Sequence, residues 1–414
     1  MFKILFRESS YYLIGNIFTQ IVGLITVVAA MRTLPIAEFG VYSYALAFVT
    51  FFSFIADGGL SQYLIKEIVQ NEDRAMAIYR NVQGLQMILS LVILMVLSII
   101  AMVIHEPYEF SIVIILGLSA VINGYISPIF SSLIAQGQRK IILKKDLTIA
   151  LVRLAYLFAF IIFDQSLLFF VGNNLVCALS TMAYCFIIKK DKEFSYFFQH
   201  QIDYRRFGKI LVDGLPYSSL MLANILYNKI DVIMLKYIVG EIEVAIYSGA
   251  TQFIYPFMFV STVLSNSIFP HLSRNAGNDL AFTKVRNNGA IIMAGVGFLM
   301  SASLFMTSDL LFDTLFNGKY AQSLQIYNVL VWYLFVVFSY GAFSNAIVAS
   351  GGVKLILKLT ATMLVLNVGL NCILIEKYGA VGAAIATLIC ELIILISVVM
   401  FSLRSNFADR RISI

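Results

Sequence analysis

Charge is scarce in this 414-residue chain: 13% of residues are Asp, Glu, Lys or Arg, against 60% hydrophobic. A soluble domain carries about a quarter charged residues, so this composition lies far outside that class. Cysteine and histidine are as sparse, at four and three. Cys177, Cys185, Cys372 and Cys390 fall inside apolar stretches with no paired spacing, which excludes a disulfide framework and leaves them as small core residues. His105, His200 and His271 are scattered near the ends of apolar stretches, with no second His or Cys at metal-ligand spacing. There is no nucleophile–base pattern, no Gly-rich phosphate loop and no long outer loop to carry one. The expectation is a protein without catalytic residues, metal or cofactor, and not an enzyme.

What the chain does have is long apolar runs. A spanning helix needs about 20 mainly apolar residues. Twelve such runs stand between polar breaks, at 11–31, 40–64, 81–104, 110–135, 147–164, 166–188, 213–236, 245–272, 287–308, 324–349, 357–375 and 379–403. The 29 Lys and Arg residues follow these runs. Clusters occupy alternate gaps: Lys3/Arg7, Lys66/Arg74/Arg80, Arg139/Lys140/Lys144/Lys145, Lys189 to Lys209, Arg274/Lys284/Arg286, Lys354/Lys358 and Arg404/Arg410/Arg411. The intervening gaps hold Arg32, Lys236, Lys319 and Lys377, one each. Basic residues beside span ends stay cytoplasmic, which puts both termini in the cytoplasm. The net charge of +6 thus suits anionic lipid headgroups, and no nucleic acid is expected. Asn16, Thr19 and Gln20 interrupt the first run and no small-residue cleavage site follows, so it reads as an uncleaved span.

The chain also repeats itself. Glu38-Phe39-Gly40-Val41-Tyr42-Ser43-Tyr44-Ala45 matches Glu243-Val244-Ala245-Ile246-Tyr247-Ser248-Gly249-Ala250 at an offset of 205, and Ala135 to Lys144 matches Ala349 to Lys358 at an offset of 214. The matches fall at equivalent points of two six-span halves, and six being even, the halves are parallel repeats. The expected fold is an all-α integral membrane protein, twelve transmembrane helices in two six-helix parallel-repeat lobes around a central cavity. The expected domains are an N-terminal lobe at 1–188, a cytoplasmic linker at 189–212 and a C-terminal lobe at 213–414. The linker mixes six aromatic residues with six bases and three acids, a composition that suits either an amphipathic helix in the headgroup layer or a simple tether.

Several strings carry a family resemblance. The second half opens Gly214-Leu215-Pro216 and continues Asn228-Lys229-Ile230-Asp231-Val232-Ile233-Met234-Leu235, then Tyr247-Ser248-x-Ala250. Pro270-x-Leu272-Ser273 and Tyr378-Gly379-Ala380-Val381-Gly382-Ala383-Ala384-Ile385-Ala386-Thr387 follow, and the first half has Ala56-Asp57-Gly58-Gly59-Leu60. In order and spacing this succession resembles the polysaccharide flippases of the multidrug/oligosaccharidyl-lipid/polysaccharide exporter superfamily, most of all bacterial O-antigen flippases, over essentially the whole chain. The resemblance implies transfer of an undecaprenyl-diphosphate-linked oligosaccharide from the cytoplasmic to the periplasmic leaflet of the inner membrane. Two parallel lobes suit alternating access, coupled to H+ or Na+ through Glu391 or Asp231, with anionic membrane lipids and other polysaccharide assembly proteins as the expected partners. A multidrug-type cation antiporter of the same superfamily and a polytopic polysaccharide polymerase are the alternatives. The first calls for an acidic cavity, the second for a large Arg-bearing outer loop.

Such a cargo needs a cation for its diphosphate and hydrogen-bonding groups for its sugars, because unsatisfied polar groups are costly in hydrocarbon. Arg153 and Lys229 are the two bases left inside spans. A guanidinium matches phosphate bidentately, so Arg153 is a phosphate candidate; snorkelling to headgroups or pairing with Asp146 are the other readings. Lys229 is a second candidate that snorkelling would equally explain. Asn16 and Gln20 in span one, Asn224 and Asn228 in span seven, Gln252 and Tyr255 in span eight, and Asn367 and Asn371 in span eleven are sugar-contact candidates, or else ordinary helix–helix contacts. Asp231 and Glu391 are candidates for ion coupling, since an isolated carboxyl in a span carries a proton or binds a cation. Asp57, Gly58 and Gly59 mark a hinge or helix end.

Overall fold

The computed structural model describes residues 2–57, 59–71, 74–189, 203–275 and 277–404. Among these residues the secondary structure is helical throughout, with no strand. Before the central basic segment come α1 (Phe2–Thr33), α2 (Ile36–Asp57), α3 (Leu60–Gln70), α4 (Ala75–Ile104), α5 (Pro107–Ala135), α6 (Arg139–Phe163) and α7 (Leu167–Lys189). After it come α8 (Phe207–Ile238), α9 (Glu241–Thr251), α10 (Met258–Arg274), α11 (Asp279–Met306), α12 (Ser308–Phe316), α13 (Ala321–Ala349) and α14 (Val353–Arg404). Helix is what a bilayer demands, because it satisfies every backbone group within the segment.

Ten stretches of the described helices are long and apolar enough to cross a membrane. One of them, α14, crosses twice. Gly379 adopts φ 57°, and a Cβ on Gly382 would overlap the carbonyl oxygen of Leu374. Residues eight apart in a straight helix lie about 12 Å from each other, so the chain doubles back at Gly379 and the two arms of α14 run side by side. With α8, this completes the twelve spans.

The structure refines several boundaries. Span two is broken: α2 stops at Asp57 and α3 starts at Leu60, with Gly59 in the left-handed region at φ 70°. Gly58 lies outside the described residues. Span eight is broken between α9 and α10, where a 3-10 turn occupies Tyr255–Phe257 and Pro256 supplies no amide hydrogen. The basic residues Arg139, Lys140, Lys144 and Lys145 belong to α6, so the helix of span five starts before residue 147. A short helix, α12, fills the gap ahead of the tenth span.

The internal repeat is visible in the helix boundaries. Helices α1 and α8 are both 32 residues long and 205 apart at each end, and α2 and α9 begin 205 apart. The first residues of α6 and α14 are 214 apart. The turns that precede those two helices match in detail. Gly137 has φ 72° and Gly351 φ 86°, and Gln138 N–H donates to Leu133 O at 2.9 Å as Gly352 N–H does to Ile347 O.

Two compact units result, Met1–Ile225 and Leu226–Ile414, divided within α8. The expected linker ends earlier, at residue 212. The start of α8 belongs to the first unit for a packing reason: Ile210 is buried in a cluster with Leu60, Leu64, Tyr79 and Leu133, and Asp203 N–H donates to Asn81 Oδ1 at 2.8 Å. The rest of the linker, residues 190–202, lies outside the described residues.

Candidate ion and cargo sites

In the second unit, Asp231 on α8 is 2% exposed, deep among helices, with three donors turned onto its carboxylate. Tyr247 OH at the middle of α9 and Thr387 Oγ1 on the second arm of α14 both donate to Oδ2 at 2.7 Å. Asn371 Nδ2 on the first arm donates to Oδ1 at 2.7 Å and to Asn367 Oδ1 at 2.9 Å. The reversal at Gly379 is what brings Asn371 and Thr387 onto one carboxylate. Both Asn367 and Asn371 are wholly buried, and Asn371 Oδ1 has no hydrogen-bond partner among the described residues. No Lys or Arg forms an ion pair with Asp231 there. The result is a buried carboxyl in a low-dielectric interior with one spare amide oxygen, Asn371 Oδ1, beside it, which suits a small monovalent cation or a proton.

Glu391 lies one turn beyond Thr387 and is also 2% exposed. Its Oε2 accepts from Tyr340 OH on α13 at 2.9 Å, and Tyr227 on α8 faces it. Tyr247 faces Tyr255, whose ring meets Tyr333 edge-on at 6.4 Å between centroids, and Tyr333 in turn neighbours Glu391. Phenol groups therefore line the interior from one carboxyl to the other.

In the first unit, Arg153 sits in the middle of α6. It is 14 residues from the helix start, or about 21 Å along it. The guanidinium lies beside Gly23 on α1: a Cβ there would sit 3.4 Å from Arg153 Nη1, an ordinary contact distance. Cys177 on α7 lies beside it, and Tyr42 on α2 is close to it and faces Asn174. Asp146 pairs with Lys145 at 2.7 Å instead of with Arg153, and among the described residues Arg153 has no carboxylate partner.

The remaining sequence candidates are dispersed. On α1 Gln20 is exposed and Asn16 half-buried; on α8 Asn224 is exposed while Asn228 and Lys229 are half-buried. Gln252 and Tyr255 stand at the break between α9 and α10. Asp57 Oδ1 accepts from Ser61 Oγ and Gln86 Nε2, both at 2.6 Å, where α2 gives way to α3. Sequence reasoning grouped Asn367 and Asn371 with the sugar contacts, whereas the structure turns both into the Asp231 cluster. It missed Tyr247, Tyr340 and Thr387, although Tyr247 stands in the repeated string and Thr387 in the last quoted one.

The model of the family described as "Polysaccharide biosynthesis protein" matches residues 5–276. The chain belongs to that family. A second model, MatE, matches residues 216–373. No curated protein sequence matches the chain. Among solved structures, the chain is similar to the lipid II flippase MurJ in an inward closed conformation, at TM-score 0.78 and 15% identity over 95% of this chain and 87% of that one. An inward-facing multidrug resistance MATE transporter of the MOP superfamily gives 0.75 and 16% over 93% of both chains. A mutant of the Vibrio cholerae MATE transporter VcmN gives 0.65 and 14% over 99% of this chain and 98% of that one. At such identities the likeness establishes the fold alone, that of the MOP-superfamily transporters.

Proposed function

We propose that this protein moves an undecaprenyl-diphosphate-linked oligosaccharide, an O-antigen repeat unit or a similar glycan, from the cytoplasmic to the periplasmic leaflet of a bacterial inner membrane. Both termini are cytoplasmic in this reading. The observation that carries it is the family match over residues 5–276 on a membrane-transporter fold. Arg153 meets the diphosphate, with Lys229 as a second base. The half-buried and exposed amides Asn16, Gln20, Asn224, Asn228 and Gln252, with Tyr255, meet sugar hydroxyls. Passage of the charged head is driven by a coupling ion, Na+ or H+, at Asp231 with Asn367, Asn371 and Thr387, or at Glu391. An ion bound there in one leaflet-facing state and released in the other shifts the conformational balance by its differential affinity.

Complementation of a flippase-deficient bacterium tests the reading. The wild-type gene restores surface polysaccharide and Arg153→Ala, at equal protein level, does not. Full restoration by Arg153→Ala removes the phosphate role. A multidrug antiporter is the second reading, since Asp231 and Glu391 make an acidic interior. Drug resistance without any polysaccharide would establish it instead.

A further inference from the structure

The sites around Arg153 and Asp231 occupy the same places in the two repeats. At the offset of 205 that relates α1 to α8 and α2 to α9, Thr26 corresponds to Asp231 and Tyr42 to Tyr247. At the offset of 214 that relates α6 to α14, Arg153 corresponds to Asn367. Asn174-Leu175-Val176-Cys177 of α7 aligns with Thr387-Leu388-Ile389-Cys390 of the second arm of α14, at an offset of 213. The contacts follow the same pairing. Tyr42 faces Asn174 as Tyr247 faces Thr387, and Cys177 lies beside Arg153 as Cys390 lies beside Asn367. One polar site has been duplicated with part of its framework kept; at the offset of 214, Asn371 has Leu157 in its place.

Its charges have not been kept. Where the second repeat has Asp231, the first has Thr26, 6% exposed, with its hydroxyl spent on Val22 O at 2.8 Å. Where the second has neutral Asn367, the first has Arg153. The position of Glu391 is taken by Ala178, at the same offset of 213. Among the described residues, the first site therefore holds Arg153 with no acid paired to it, and the second holds Asp231 and Glu391 with no base paired to them. A half-buried guanidinium beside Gly23, with no carboxylate partner among the described residues, attracts an anion and can fork onto a phosphate.

We propose that the duplicated site is inverted in charge, taking an anionic phosphate group in the first repeat and a cation in the second, and that the residue pairs Thr26/Arg153 and Asp231/Asn367 set which. Thr26 acts by omission: it leaves Arg153 uncompensated. The assignment of the anion to a polyprenyl diphosphate rests on the proposed function, while the inversion itself rests on the repeat.

The test uses full-length protein in nanodiscs of neutral lipid, with undecaprenyl diphosphate, undecaprenol and radioactive sodium as probes. The expected result for wild type is diphosphate binding well above undecaprenol and one sodium per chain, the latter lost in Asp231→Asn. Arg153→Asn weakens diphosphate binding about tenfold or more and leaves sodium binding unchanged. Thr26→Asp with Arg153 retained makes an internal ion pair, so diphosphate binding falls and no sodium is gained. Thr26→Asp combined with Arg153→Asn recreates the second repeat's pair in the first, and the chain takes up a second sodium. Diphosphate binding by Arg153→Asn within about twofold of wild type overturns the proposal, as does a second sodium in Arg153→Asn alone, which would make the guanidinium a stand-in for a diffusible cation. Equal binding of undecaprenyl diphosphate and undecaprenol by wild type defeats the cargo reading; a second sodium in the double variant still upholds the inversion.

Discussion

Removing one donor from Asp231 tests whether a cation shares that carboxylate. Tyr247→Phe deletes a hydroxyl 2.7 Å from Oδ2 and changes nothing else in volume or packing. A hydrogen bond to a charged group is worth about 1.5–3 kcal/mol, so with the site empty the variant should lose roughly 2 kcal/mol. With a cation on the carboxylate, much of the charge is neutralised and the same bond is worth about 1 kcal/mol. For a unit of this size those losses correspond to roughly 4–8 °C and 2–4 °C in unfolding midpoint. Thermal unfolding of detergent-purified protein in choline and in sodium measures both. The expected outcome is a drop in both salts that is about twice as large in choline. Equal drops refute a shared carboxylate, and no drop in either refutes the hydrogen bond itself.

Gly382→Ala should be among the most damaging substitutions in the second unit, because its Cβ would run into the Leu374 backbone, and expression with monodisperse elution reads the loss. Glu243→Ala removes the carboxylate that accepts from Ala380 N–H at 2.6 Å and should cost about 1 kcal/mol in thermal stability, as other helix caps do. Arg286→Met strips a buried guanidinium from Ser402 O at 2.6 Å and should destabilise the second unit by about 1–3 kcal/mol, seen in the same melts. Glu391→Gln should abolish the response of vesicle transport to a pH gradient; an unchanged response would remove Glu391 from proton coupling.

The spans and the duplication were readable because their signals are local. An apolar run of bilayer length announces a helix, and two strings at offsets of 205 and 214 announce equivalent helix starts. The break after Asp57 was legible in Gly58-Gly59, and the reversal at Gly379 fell on the first residue of the expected span twelve. The interruption of span eight was not foreseen, since Tyr255-Pro256 lies inside a run of bilayer length. Partners of the buried acids were beyond reach. Asp231 gathers donors 16, 140 and 156 residues away, and Glu391 is bonded by a tyrosine 51 residues back. A helical wheel shows which residues share a stripe; it does not show which stripe of another helix arrives opposite. For that reason Asn367 and Asn371 looked like sugar contacts until the fold turned them inward.

The turn at Gly379 bears on how the chain is made and how it can be probed. Spans eleven and twelve are joined by a single left-handed glycine, and Glu243, from the turn that opens the eighth span, holds the first amide of the returning arm. Two crossings tied this closely must enter the bilayer as a hairpin, with no hydrophilic tether on which synthesis could stall between them. A reporter domain inserted after Gly379 would split that hairpin and scramble the downstream chain. At Gly351, where nothing lies within 4 Å of a would-be Cβ, an insertion has room, and a topology map of the second half is best anchored there.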